Sequence, residues 1–179
     1  PAGEGGVYVS ARVSPDGSRV ALLLSNAGAI ELRDGKTLAP IARIATVSEE
    51  GERPHSIEWA RDGKSLLLGS NIDGGTDFAG LVRRVQIDGK KLSLRPLWRQ
   101  SAVVTGMTAL PDGALAIGSA DATLVVVTAA GQVRWQKASG SVRVKDAADL
   151  WTDASGGRIW LRTGPGAQGG FRFSVPEPS

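Results

Sequence analysis

A single turn recurs along the chain at a spacing that few folds produce. It reads "VSPDGSRVALLL" at 13–24, "WARDGKSLLLGS" at 59–70 and "ALPDGALAIGS" at 109–119. The turn aspartates Asp16, Asp62 and Asp112 lie 46 and 50 residues apart, and a weaker turn, "DASGG" at 153–157, puts Ser155 another 43 residues on. In "SPDG" the proline presets the backbone angle of a type I turn and the glycine takes the positive φ that follows. An Asp-Gly pair between apolar runs is a strong short-range hairpin signal. Its return at 43–50 residues is too long a period for one hairpin and fits a unit of about four strands.

Each unit has the same internal order. Alternating runs enter the turn: "VYVSARV", "SIEWA", "VTGMTAL" and "ADLWT". More continuous apolar runs leave it: "RVALLL", "SLLLG", "ALAIGS" and "RIWLR". Alternation marks a strand covered on one face, and a continuous apolar run marks one covered on both. A third run follows ("AIEL", "LVRRVQI", "TLVVV", "FRFSV"), and the first three units add a fourth ("APIARI", "KLSLRPLW", "QVRWQ"). No convincing helical period occurs. The chain is predicted to be all-β, with about four blades of four-stranded antiparallel sheet at 7–45, 55–99, 103–138 and 146–175, the repeating unit of a β-propeller.

The first unit, "VSPDGSRVALLLSNAGAIELRDGKT", resembles a WD repeat, which runs from a Ser-Pro-Asp-Gly turn to an Ile-x-Leu-Trp-Asp strand end. Asp34 stands where that terminal aspartate belongs, and Asp88 does so in the second unit. Arg33 replaces the Trp and no Gly-His dipeptide precedes the units, so the buried Asp-His-Ser-Trp network of that family cannot form. "TAAGQVRWQ" is more similar to repeats of the pyrroloquinoline-quinone-type propellers. The resemblance implies a propeller fold and, as function, a surface for binding other proteins.

Composition sets limits on that function. Apolar residues make up 41% of 179 and charged residues 22%, as in a folded globular chain. Cysteine is absent, which removes disulfides and thiolate chemistry, and a single histidine leaves no room for a zinc site. The net charge of +3 is small, and its densest basic group, "VRR" at 82–84 with Lys90, Lys91, Arg95 and Arg99, reads as a solvated strand surface. Nucleic-acid binders concentrate basic charge on one face, so no nucleic-acid partner is expected. No apolar stretch approaches the roughly 20 residues of a membrane span. The cytoplasm is the default compartment, with the periplasm or secretion left open.

Most propellers have six to eight blades, so four suggest an incomplete ring, half of a seven- or eight-bladed one. The exposed faces of the end blades would need cover. The expected partner is therefore protein: a second chain or fragment that completes the ring, or a second copy in a homodimer. The fourth unit lacks an outer strand, which places this segment as the C-terminal part of a larger protein.

No residue announces catalysis, a cofactor or a metal site. His55 precedes a strand without a nucleophile elbow and reads as structural or surface-exposed. "GPGAQG" at 164–169 matches a dinucleotide fingerprint, but a strand follows it where phosphate binding needs a helix. Asp73 and Asp77 match no dedicated calcium loop. Five tryptophans fall within strands, and most of them read as core packing between blades. The candidate interaction face gathers loop residues at one end of the blades: Asn26, Glu50, Arg53, His55, Asp73, Asp77, Phe78, Asp121, Lys145 and Gln168. The expectation is a non-catalytic interaction module. Alternatives are the recognition part of a larger enzyme, such as a bacterial caspase-like protease, and a small-molecule-binding quinone-type propeller.

Overall fold

A computed structural model describes residues 7–24, 28–47, 50–74, 78–121, 123–138, 149–162 and 170–174. The recurring turn builds the fold as its chemistry dictates. In the first unit the Gly17 amide donates to the Ser14 carbonyl at 2.9 Å, and the Ser14 amide donates to the Arg19 carbonyl at 2.9 Å. Gly17 has φ 71°. The same pair of bonds links Gly63 and Ser65 to Ala60, Gly113 and Ala114 to Leu110, and Gly156 and Arg158 to Asp153. Arg19, Ser65, Ala114 and Arg158 therefore hold one place in the repeat, and the first residues of the strands that follow them can be matched one to one between units.

Four antiparallel sheets result. The first blade contains β1 (Tyr8–Val13), β2 (Arg19–Leu24), β3 (Ala29–Asp34) and β4 (Pro40–Ala45), paired in chain order. The second contains β5 (Glu52–Trp59), β6 (Ser65–Asp73), β7 (Phe78–Asp88) and β8 (Lys91–Gln100). The third contains β9 (Val104–Ala109), β10 (Leu115–Ser119), β11 (Thr123–Val127) and β12 (Val133–Ala138). The fourth has three strands among the described residues: β13 (Asp149–Thr152), β14 (Arg158–Arg162) and β15 (Gly170–Ser174). Meander connectivity follows from short turns between antiparallel neighbours.

Because side chains alternate across a strand, each sheet has two faces, and successive sheets bury them against each other. Ala21, Leu23, Ile30 and Leu32 of the first blade meet Leu66, Leu68 and Val85 of the second. Leu67 and Val82, on the second blade's other face, meet Leu115, Ile117, Val125 and Val127 of the third. Ala116, Leu124 and Val126 then meet Ile159 and Phe173 of the fourth. Strands β10 and β11 are buried along their whole length.

The array does not close into a ring. Its first inner strand shows the consequence: the alternation in "VYVSARV" suggests half-burial, yet Val7 is 62% exposed, Tyr8 52% and Val13 62%. The counterpart strands β5 and β9 are mostly covered. What differs is the neighbour, because no described sheet packs on the outward face of the first blade.

Candidate interaction surfaces

The second blade stands out by length. Its strands run 8 to 11 residues, against 4 to 6 in the other three blades. Counted from the common turn, β6 continues three residues past the end of β2, through Asn71, Ile72 and Asp73, which pair with Gly80, Ala79 and Phe78. Glu52 and Arg53 at the start of β5 pair with Ile72 and Asn71, so the connection between the first two blades is carried to the tip. There the Asp73 amide donates to the Gly51 carbonyl at 3.1 Å, and Arg53 lies 3.6 Å from Asp73, both side chains reaching solvent.

The structure brings Glu50, Arg53 and Asp73 to this end of the blades. Asp121 lies at the same end of the third blade, in the turn between β10 and β11. Burial alone would raise its carboxyl pKa, but hydrogen bonds from Ser119 Oγ (2.6 Å) and the Thr123 amide (3.1 Å) outweigh it and hold the group below the usual carboxylate range. Asp121 is thus committed to its own turn. Phe78 opens β7 opposite Asp73; its side chain, together with Asn26, Asp77, Lys145, Gln168 and the glycine-rich 164–169 segment, lies outside the described residues.

His55 is placed differently, inside the axis of the array. A cavity of about 410 Å³ is lined there by the four inner strands, with Arg12, His55, Ser56, Glu58, Thr105 and Trp151 on its wall. Burial holds the His55 pKa below its ordinary value, partly opposed by a bond with Asn71, and its Nε2 has no hydrogen-bond partner. Burial pushes the Glu58 carboxyl up, against the pull of Arg12 at 3.4 Å. That pair spans the first and second blades, as does the Trp59 indole N–H donated to the Arg12 carbonyl at 3.0 Å. Among the described residues no group of three acidic, His or Cys side chains could hold a metal ion.

Two features escaped sequence reasoning. Arg83, from the basic "VRR" run, is buried rather than solvated: its side chain is 5% exposed and that of Glu52 is fully covered. Arg83 donates to Glu52 at 2.8 Å and to the Thr46 carbonyl at 2.7 Å, tying the connection between blades to β7. A buried charge is tolerated only when paired in this way. Second, Trp151 and Trp160 stack with ring centroids 6.3 Å apart and planes within 8°. Both lie on the outward face of the fourth blade, where Trp151 is 43% exposed. An alternating "DLWT" gave the face of each residue but not the lack of a covering sheet.

No protein-family model matches the chain, and no curated protein is similar to it in sequence. Solved structures are similar in fold. The β-propeller domain of Cps50 (Swd1) from Myceliophteria thermophila shares 16% identity at a TM-score of 0.52, over 97% of this chain and 67% of that one. Sqt1 from Chaetomium thermophilum shares 15% at a TM-score of 0.65, over 88% of this chain and 43% of that one. The dihydro-heme d1 dehydrogenase NirN, solved in complex with DHE, shares 20% at 0.61, over 93% of this chain and 34% of that one. At these identities the likeness establishes the fold alone, an open array of β-propeller blades.

Proposed function

We propose that this chain is a non-catalytic, protein-binding portion of a WD-repeat-like propeller, whose ring is completed by protein other than the four blades described. The observation that carries the reading is the pair of open ends. Val7, Tyr8, Val9 and Val13 at one end and Trp151 at the other expose large apolar groups, and contiguous patches of this kind mark interaction surfaces. A second docking site is the raised tip of the second blade, with Arg53, Asp73 and Phe78 on its strands and Glu50 in the turn that enters it, the usual way a scaffold presents binding residues. The likeness to Swd1 and Sqt1 supports an interaction module. The likeness to NirN favours the rival reading, the recognition part of a larger enzyme.

Light scattering coupled to size exclusion, with intact mass spectrometry on the peak, tests the proposal. A stable species holding a second chain is the expected result and identifies what completes the ring. A well-folded monomer of 18.6 kDa that stays soluble at high concentration would sink it.

A further inference from the structure

Among the described residues no sheet covers the outward face of the fourth blade, where Trp151 is 43% exposed, and the internal repeat shows how a covered face is fastened. This inference rests on the incomplete ring proposed above and names what fills one of its ends. The turn bonds of Ala60 with Ser65 and of Asp153 with Arg158 make Leu67 and Trp160 counterparts. Leu67 pairs across to Arg84 on β7, and Trp160 pairs across to Arg172 on β15. Arg172 is therefore the fourth blade's copy of Arg84.

Arg84 has a defined task. Its guanidinium leaves its own sheet, donates to the Ala129 carbonyl at 3.1 Å in the outer turn of the third blade, and is steadied by Ser65 Oγ at 3.2 Å. It fastens one blade to the next through a main-chain oxygen, so the bond does not depend on the neighbour's side chain at that position. The Arg172 side chain is exposed and makes no hydrogen bond among the described residues. Beside it, Trp160 takes the place that Ala21, Leu67 and Ala116 take in the three filled seams, each of them buried, and stacks on Trp151.

We propose that this face receives a further antiparallel blade from polypeptide outside these 179 residues. Its outer turn offers a carbonyl to Arg172, and its aliphatic second and third strands cover Trp151 and Trp160. A second copy of this chain fits poorly. The positions that face Leu67 and Val82 in the filled seam are Val125 and Val127 of β11. In the first blade β3 carries Glu31 and Arg33 there, each one residue along from Ile30 and Leu32, which face the other way. Glu31 is already bound to Arg33 at 2.8 Å, with Arg43 3.9 Å away. Closing the ring with a copy would set Arg158 and Arg172 against Arg33 and Arg43 with one carboxylate among them, and like charges in a desolvated seam are costly.

Site-specific photocrosslinking in the source cell tests this on the protein as it exists there. A benzoylphenylalanine is placed at Arg158 or at Ser174, a cross-strand pair next to Arg172 on the same face, with Lys64 as an exposed control and Arg53 as a probe of the raised tip. The expected product links residue 158 or 174 to a peptide outside this sequence, in the third strand or following turn of a β-sheet. Arg172→Ala should lower its yield roughly tenfold, the loss of one hydrogen bond from a charged donor, while Arg172→Lys retains part of it. Far-ultraviolet circular dichroism of both variants checks that the array stays folded. Crosslinks to Val20, Leu22 or Arg33 of this sequence would mean a second copy and overturn the assignment, leaving ring completion intact. No crosslink above the Lys64 background would also overturn it. If Arg53 yields none either and the isolated species is monomeric, the interaction reading itself fails.

Discussion

Arg83 and Asp16 illustrate how differently two charged residues can serve one fold. Arg83 is committed to Glu52 and Thr46 in a covered seam, so Arg83→Ala leaves a carboxylate buried beside its lost cation. Removing one partner of such a pair costs about 3–5 kcal/mol, which chemical denaturation should register as a lower midpoint with unchanged slope. Asp16 sits in solvent, yet its pKa falls from 3.8 to about 2 because the Ser14 hydroxyl and the Ser18 amide and hydroxyl donate to it. A lowered folded-state value means that its contribution is complete above about pH 4 and disappears as pH falls through 2. Asp16→Asn should therefore unfold at lower denaturant than the parent at pH 6, and the gap should shrink steadily in titrations toward pH 2. His55 acts in the same direction with pH, but through burial of the neutral ring rather than through bonds to a charge. Burial lowers its pKa, so the folded state resists protonation and stability declines as pH drops below 6.5. His55→Asn should flatten that part of the profile when midpoints are measured from pH 8 to pH 5.

At the scale of elements, the repeated turn and the sheet it starts are separate sources of constraint. Gly113 and Gly131 both lie at positive φ, 83° and 84°. A Cβ on Gly113 would enter open space, whereas one on Gly131 would run into the Leu97 carbonyl of β8. Gly113→Ala should thus cost about 1–2 kcal/mol, the left-handed backbone alone, and Gly131→Ala clearly more, since it also parts the second and third blades. Paired thermal melts would show the order. The sequence marked these turns because Asp-Gly pairs have a strong local signal, and the strands because apolar runs do. Burial was less legible. "VYVSARV" and "VTGMTAL" look alike, yet the first is exposed and the second covered, since the difference lies in a neighbour some 46 residues away in the repeat. Arg83 was opaque for the same reason. Its Glu52 lies on another strand within an acidic run that resembles a surface loop. Of the candidate face, Glu50, Arg53, Asp73 and Asp121 could be gathered to one end by strand order alone, but His55 lies deeper, on the axial wall, because β5 begins before it.

Taken whole, the described residues form a row of sheets in which each packs its core against its neighbours. Stability in such arrays is close to a sum over units and seams, and the end units are the weakest. The second and third blades have two seams each, and the first and fourth have one among the described residues. Hydrogen exchange should therefore be slowest in β6, β10 and β11, faster in β2, and fastest in β14, with blade-sized steps between them. A uniform exchange rate across all four sheets would contradict this account of independent seams.

The tall second blade has a further consequence. A ring of equal blades is nearly the same after each rotation by one blade, so a partner resting on its end could settle in several angular positions of similar energy. Three extra paired residues in β6, about 10 Å of strand, remove that degeneracy. With Arg53 and Asp73 joined at its tip, the blade acts as an index pin. A protein shaped to straddle it finds one matching position among the four described blades, with orientation set by strand length rather than by any single contact.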